Sequence, residues 1–584
     1  MYILGINAFH GDSSACILKD GVLIVAAEEE RFRRIKHWAG FPVESITFCL
    51  EETGINISQV DYVTVSRNTK ANFFHKIFHA MRYKVSIASI LSRLNNLKRV
   101  SSIKKELSKA FNVPEKEINA KIYNIEHHRS HIASSFFASP FDKSAILSVD
   151  GFGDFTSTMF AFGENKRINV LDSVKYPHSL GLFYTAATQF LGFPNYGDEY
   201  KVMGLSGYGE AKYIHKLEEI IKTTDSGSFE LNKNYFRHIK EGVEMTWENG
   251  MPQITSLFTN KWELLLGKAR QEQENLEQIH LDIAASVQCL TENIIFHMLN
   301  YLHAKTRIKN ICITGGVAQN SVINGKIIAN TPFEEIYIPS AGHDAGTAIG
   351  SALYLYHHIL GNDRLPSITH AYSGSKFSNS DIVKWLQFVV KNIKYSKANI
   401  NYKEFDDKTL IDKVSDKLID GGVIGWFQGR AEFGPRALGN RSILVDPRRQ
   451  DVKDRLNGII KGREGFRPFA PSILKEKVAD YFEQSTDAPF MEKVFPIKKE
   501  KRKEIPAVTH VDGTGRLHTV DKKNSPKYHK LIERFEEKTG IPILLNTSFN
   551  ENEPIVNKPE EALDCFLRTK MDMLVMENII VEKN

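Results

Sequence analysis

A chain of 584 residues is longer than one ordinary core organises, so two or more domains are expected. Its composition, 42% hydrophobic and 25% charged with no low-complexity tract, excludes a disordered or fibrous protein. The net charge is +6, no stretch approaches the roughly 18 uncharged apolar residues of a membrane span, and the five cysteines form no C-x-x-C pair, which argues against a disulfide scaffold or a cysteine-held structural zinc.

The chain opens on YILGINAF, HGDSS and ACILKDGVLIVAAEE, which predict strand, turn and a hairpin closed by Asp20-Gly21. The start lacks a basic region followed by an apolar one, so a cytoplasmic protein is expected. Residues 70–109 hold Lys70, Lys76, Arg82, Lys84, Arg93, Lys98, Arg99, Lys104, Lys105 and Lys109 with Phe73, Phe74, Phe78 and Tyr83 between them. Such a stretch suits nucleic acid or an anionic surface. The preferred expectation is blander: a helical insertion with Phe73, Phe74 and Phe78 packed on the N-terminal domain, lysines in solvent, and no nucleic acid bound.

EHHRSHIASSF (126–136) sets His127 and His131 at i and i+4, neighbours on one helix face. Such a pair is the usual way for one helix to give a metal two imidazoles, and it is equally well read as two ordinary polar histidines. The strand AILSVDG (145–151) ends on Asp150, and Asp344 opens a helix in AGHDAGTA; a turn or cap is the commoner work of Asp at such places. Together the four make a mixed N/O set without thiolate, suited to Fe(II), Mn(II) or Zn(II).

A helical stripe (Leu276, Ile279, Ile283, Val287, Leu290, Ile294, Met298) precedes two strand–loop–helix units, KNICITGGVAQNSVINGKI and EEIYIPSAGHDAGTAIGSALYLYHH. The glycine turns GINAFHGDSSA and TGGVAQN can face backbone N–H groups toward an anion, which suggests a nucleotide. Alternating elements of this kind build α/β layers with ligands at strand ends. The pattern loosens near 360–400. The expected division is therefore 1–365, a connection over 366–400, and a second α/β domain over 401–584 with strands GGVIGWF, RSILVD and IPILLNTSF. That second part concentrates arginine in Gly/Pro loops: Arg430, Arg436 and Arg441, then Arg463 and Arg467, then Arg516. Arginine forks grip phosphate bidentately, so a pocket for a dense anion is expected.

The ordered motifs GINAFHGDSSA, AAEEERFRRIKHWAGFP, HHRSHIASSFFASPF, SVDGFGD, GDEYKVMGLSGYG, GGVAQNSVING, GHDAGTAIGSAL, FGPRALGNRSILVDPR, FRPFAPSIL and LLNTSFNENEPIV span almost the whole chain. In this order they resemble the O-carbamoyltransferases of antibiotic and Nod-factor biosynthesis. The resemblance implies an N-terminal domain of the actin/sugar-kinase/Hsp70 superfamily, similar to tRNA threonylcarbamoyl-transferases, and a YrdC-like C-terminal domain. It implies that the C-terminal domain makes carbamoyl adenylate from carbamoyl phosphate and ATP, with Mg as a candidate companion of ATP. The N-terminal domain would then pass the carbamoyl group to the hydroxyl of a small acceptor.

On the same resemblance His127, His131, Asp150 and Asp344 are the metal ligands, iron first among the candidates. His10 is the candidate base, with Lys36 and His37 beside it. Gly315, Gly316, Val317 and Asn320 would hold the nucleoside, and Arg436, Arg467, Arg516 and Asn546 the carbamoyl phosphate or ATP. Three positions depart from the commoner pattern: Gly11 separates His10 from its aspartate, Arg129 stands where an apolar residue is usual, and His518 where Gln is frequent. The alternatives are a sugar kinase or ATPase on the N-terminal fold, and a tRNA-modifying enzyme. The oligomeric state is open, with a homodimer as one option.

Overall fold

The structure is a computed structural model that describes residues 1–83, 102–243, 245–248, 250–391 and 400–583. The chain divides into two units, Met1–Ile368 and Thr369–Asn584. In the first unit Tyr2–Asn7 (β1), Ser14–Lys19 (β2) and Val22–Glu28 (β3) form an antiparallel meander. The β2–β3 turn is the one expected: Asp20 and Gly21 both lie in the left-handed region, at φ 49° and 83°, as a two-residue hairpin turn with the strands' own twist requires. Tyr62–Val65 (β4) and Lys121–Asn124 (β5) then add in parallel beside β1, giving the order β3-β2-β1-β4-β5.

A second five-stranded sheet repeats this plan. Lys143–Gly153 (β6), Thr156–Glu164 (β7) and Arg167–Lys175 (β8) form the meander, and Asn310–Thr314 (β9) and Glu335–Tyr337 (β10) add in parallel beside β6. The order β10-β9-β6-β7-β8 is that of the first sheet. The N-terminal unit is thus a duplicated α/β fold, in agreement with the superfamily that the motifs imply.

Between the sheets, helix His127–Phe136 (α2, counting Phe73–Tyr83 as α1) packs on Thr347–Leu353 (α5, after Gln278–Thr306 as α3 and Ser321–Asn330 as α4). The approach is backbone to backbone. A Cβ on Gly350 would lie 1.8 Å from the Ser130 carbonyl oxygen. Gly350→Val is therefore expected to cost about 1–3 kcal/mol by overpacking and to lower the melting temperature by several degrees. Thermal unfolding checks this; an unchanged melting temperature would mean that the helices part without cost.

The helical stripe read from sequence forms the inner face of α3, where Ile283, Val287, Leu290, Ile294 and Met298 are buried, while Ile279 stays exposed. The aromatic row of α1 corrects its expectation. Phe73, Phe74 and Phe78 are 58%, 83% and 57% exposed, not packed on the domain. The helix is instead anchored by its polar face: Asn72 donates to the Asp154 carbonyl and to Thr156 Oγ1, and His79 is buried edge-on against Phe155 and Tyr176. That anchoring turns the phenylalanines outward. Lys84, Arg93, Lys98 and Arg99 lie outside the described residues.

The second unit is built on a nine-stranded mixed sheet around a single large core. Its chain-order strands are Ile400–Glu404 (β11), Ile424–Phe427 (β12), Arg441–Val445 (β13), Ala470–Leu474 (β14), Lys493–Pro496 (β15), Thr514–Val520 (β16), Ile543–Ser548 (β17), Met573–Met576 (β18) and Ile579–Lys583 (β19). They are ordered β11-β19-β18-β12-β13-β17-β14-β16-β15. Residues expected as a mere connection contribute helix Asn379–Lys391 (α6), whose Ile382, Leu386 and Val389 enter this core. Their i, i+4, i+7 spacing is that of an amphipathic helix. Among the described residues no helix is long and apolar enough to cross a membrane.

Candidate active site

The first unit gathers its polar residues at the carboxyl ends of β1, β6 and β9 and at the start of α2. Glu126 caps α2, accepting from the Arg129 backbone N–H, and the first two turns then present three histidines to their neighbours. His128 turns into the sheet, where Ser148 Oγ and the Thr156 carbonyl satisfy its two ring nitrogens at 2.8 and 3.0 Å. His127 and His131 share the other face, as their spacing predicts. Arg129 points away from it and donates to the Tyr354 hydroxyl.

Asp150, at the end of β6, and Asp344, in the turn that leads into α5, complete a buried quartet with His127 and His131. His127 Nε2 lies 3.1 Å from His131 Nε2, 3.4 Å from Asp150 Oδ2 and 3.4 Å from Asp344 Oδ1; His131 Nε2 lies 3.3 Å from Asp344 Oδ1. Ligands about 2.0–2.1 Å from a tetrahedral ion stand about 3.3 Å apart, so the donor set fits one divalent cation. The electrostatics agree with the donor types. Burial alone would push Asp344 up, yet His10, His131 and His127 outweigh it and hold the carboxyl well below its usual range. Burial disfavours the His127 imidazolium, but Asp150 and Asp344 carry its pKa up to about 9.

The candidate base and its neighbours surround this quartet unevenly. His10 Nδ1 lies 2.5 Å from Asp344 Oδ2, so it is held on a prospective ligand rather than standing apart. His37 Nδ1 lies 2.7 Å from Asp12 Oδ1; burial lowers its pKa, but Asp12 and Glu30 together raise it to about 9. An imidazole held protonated through neutral pH acts as a cation and proton donor, not as a base. Lys36 is exposed in the turn before it. Asp12 and Tyr196, which the sequence does not single out, also belong here. Asp12 sits within the GINAFHGDSSA motif, and Tyr196 directly precedes the GDEYKVMGLSGYG motif, which stops one residue short of it.

The glycine loop touches the same cluster. Gly316 donates its N–H to Asp150 Oδ1 at 2.7 Å, and Gly315 adopts φ 95° where a Cβ would collide with the Val149 carbonyl. Val317 follows in the same turn. The Asn320 side chain is occupied in capping α4 and in a reciprocal pair with Gln288.

The second unit sorts its arginines by environment. Arg441 is fully buried, lies over the Phe427 ring and donates to the carbonyls of Gln428, Gly429, Asn440 and Ser375, so it is structural. Arg430 likewise donates to the Gly374 carbonyl. The charges of Arg436, Arg463 and Arg467 act on Arg516, whose Nε is buried with no hydrogen-bond partner, while Arg463 Nε donates to Asn457 Oδ1. Burial, then the three guanidiniums, push the Arg516 pKa well below its ordinary value. Glu464 pairs with Arg467 at 3.4 Å. Asn546, on β17, donates to Ser472 Oγ and leaves a buried Oδ1 without a partner. His518 shares that Ser472 hydroxyl and is pushed down to about 3 by burial, hence neutral.

Comparison with known proteins adds a family match and three relatives. Residues 2–353 match the family model described as carbamoyltransferase N-terminus, and residues 415–583 the one described as carbamoyltransferase C-terminus. The chain is 36% identical over 591 residues to the nodulation protein NolNO of Sinorhizobium fredii, covering 99% of this chain and 80% of that protein. It is 38% identical over 615 residues to an uncharacterized protein of Synechocystis sp., covering 100% and 97%. It is 26% identical over 478 residues to the 3'-hydroxymethylcephem-O-carbamoyltransferase of Amycolatopsis lactamdurans, covering 78% and 80%.

Proposed function

The chain belongs to the carbamoyltransferase family, and from that premise we propose that it makes carbamoyl adenylate in its second unit and passes the carbamoyl group to a small hydroxylated acceptor in its first. Carbamoyl phosphate, ATP and water would give carbamoyl adenylate, phosphate and pyrophosphate. The observation that carries this reading is the buried Nε of Arg516, left without a partner in a group on which the charges of Arg436, Arg463 and Arg467 act. Clustered guanidiniums destabilise one another until a dense anion neutralises them, and phosphate geometry matches their forks. A kinase working through the N-terminal fold alone leaves this cluster without a task.

In the first unit His127, His131, Asp150 and Asp344 would hold one divalent ion, iron(II) being the favoured choice and Mn(II) or Zn(II) the others. Such an ion supplies Lewis-acid polarisation to phosphate or carbonyl oxygen. Gly315, Gly316 and Val317 present backbone to the nucleotide beside Asp150. His10 takes the acceptor's proton, and the His37 imidazolium, backed by Asp12, offers positive charge to the adenylate. Incubation with ATP, carbamoyl phosphate and a panel of hydroxylated metabolites, read by mass spectrometry, tests the proposal. Pyrophosphate release together with a carbamoylated product is expected. A phosphorylated product instead, or none, overturns it.

A further inference from the structure

Gly11 separates His10 from Asp12, and the structure shows what fills the space it leaves. A Cβ on Gly11 would lie 2.5 Å from the Tyr196 hydroxyl oxygen and 3.0 Å from Cζ of the same ring. The backbone of Gly11 is not among those with positive φ, so glycine is needed there for room and not for conformation. The hydroxyl thus sits directly against the turn, between His10 and Asp12. Its ring stands edge-on to His37, with centroids 5.3 Å apart.

Tyr196 is only partly buried, and among the described residues its hydroxyl makes no hydrogen bond. A phenol at a site wall without a protein partner is a donor reserved for a ligand or water. Its charge surroundings fix which role it can play. Burial, then the carboxylates of Asp12, Asp344, Asp150 and Glu199, push its pKa well above the usual value. It therefore keeps its proton and acts as a donor, never as a base.

We propose that Tyr196 is a further catalytic residue of the first unit, donating its O–H to the carbamoyl carbonyl oxygen during transfer, an assignment that rests on the carbamoyl-transfer reading above. The acceptor oxygen forms the new C–O bond at the carbamoyl carbon, and that oxygen's proton passes to His10. The C–O bond to the adenylate phosphate breaks, and its electron pair leaves with AMP. Negative charge builds on the carbonyl oxygen between these events, and a fixed donor there is worth more in the transition state than in the ground state. Donation to the attacking oxygen would blunt its nucleophilicity, so the carbonyl oxygen is the favoured partner.

Tyr196→Phe keeps the ring against His37 and removes only the hydroxyl. With pre-made carbamoyl adenylate and the metabolite panel described above, its kcat for transfer is expected to fall by about 10²-fold, the effect of losing one such donor. The KM for the acceptor, adenylate formation from carbamoyl phosphate and ATP, and bound metal should be unchanged. Gly11→Ala should displace the hydroxyl and show a comparable loss, and adding Y196F to it should cost little more, because the two changes remove one interaction. Y196F at more than half the wild-type rate, or fully additive losses in the double variant, overturns the assignment of Tyr196. Wild-type protein that yields no carbamoylated product overturns the carbamoyl-transfer reading itself, and the assignment with it.

Discussion

His127→Ala or Asp344→Ala is expected to strip the first unit of metal and to lower carbamoyl transfer by about 10³-fold, or about 4 kcal/mol at about 1.4 kcal/mol per decade. The size follows from the geometry. Four donors, with His127 Nε2 3.1–3.4 Å from the other three, would enclose one ion, and losing one would both weaken its binding and free its position. Asp344 has a second task, since its other oxygen holds His10, so its loss also releases the candidate base. Adenylate formation should persist, because its arginines belong to the second unit. Metal content by elemental analysis, together with separate assays of adenylate formation and transfer, checks each part. Variants that retain full metal and full transfer would sink the assignment. His127→Asn, which keeps a polar group in the buried quartet, guards against a loss caused by misfolding alone.

Arg516→Ala or Arg467→Ala should reduce adenylate formation from carbamoyl phosphate by about 10²–10³-fold, the range for removing one charge-stabilising donor. Stability should move the other way for Arg516. A cation whose Nε is buried without a partner, among three others, is destabilising, so its removal should hold or raise the melting temperature. Supplying pre-made carbamoyl adenylate should restore product, since the first unit is untouched. Failure of that rescue in a folded variant would place these arginines in some other task.

Much of this site was legible in the sequence, because its chemistry is carried by local spacing. The i, i+4 pair His127 and His131 shares a helix face in any packing, and Asp20-Gly21 closes its hairpin by backbone preference alone. Where the expectation erred, a local pattern had two tertiary outcomes. The row Phe73, Phe74, Phe78 is apolar at helical spacing, yet hydrogen bonds from Asn72 fix the rotation of the helix and leave the row outside. Arg436 and Arg441 stand in one loop-and-strand motif, and the charge of Arg436 acts on Arg516. The other is spent on carbonyls and the Phe427 face.

By itself, then, the sequence determined the α/β class, the hairpin and helix positions, the donor types and the family to which they belong, all of which depend on residue identity and short-range periodicity. Only the tertiary structure decided that the first unit is one sheet plan used twice, since strand order arises from pairings between segments distant along the chain. It also decided that Asp12 meets His37, and that Gly11 leaves room for the hydroxyl of Tyr196. Such contacts join residues far apart in sequence, and no local periodicity encodes them, because they are set by how layers pack and by which polar groups burial then forces to find partners.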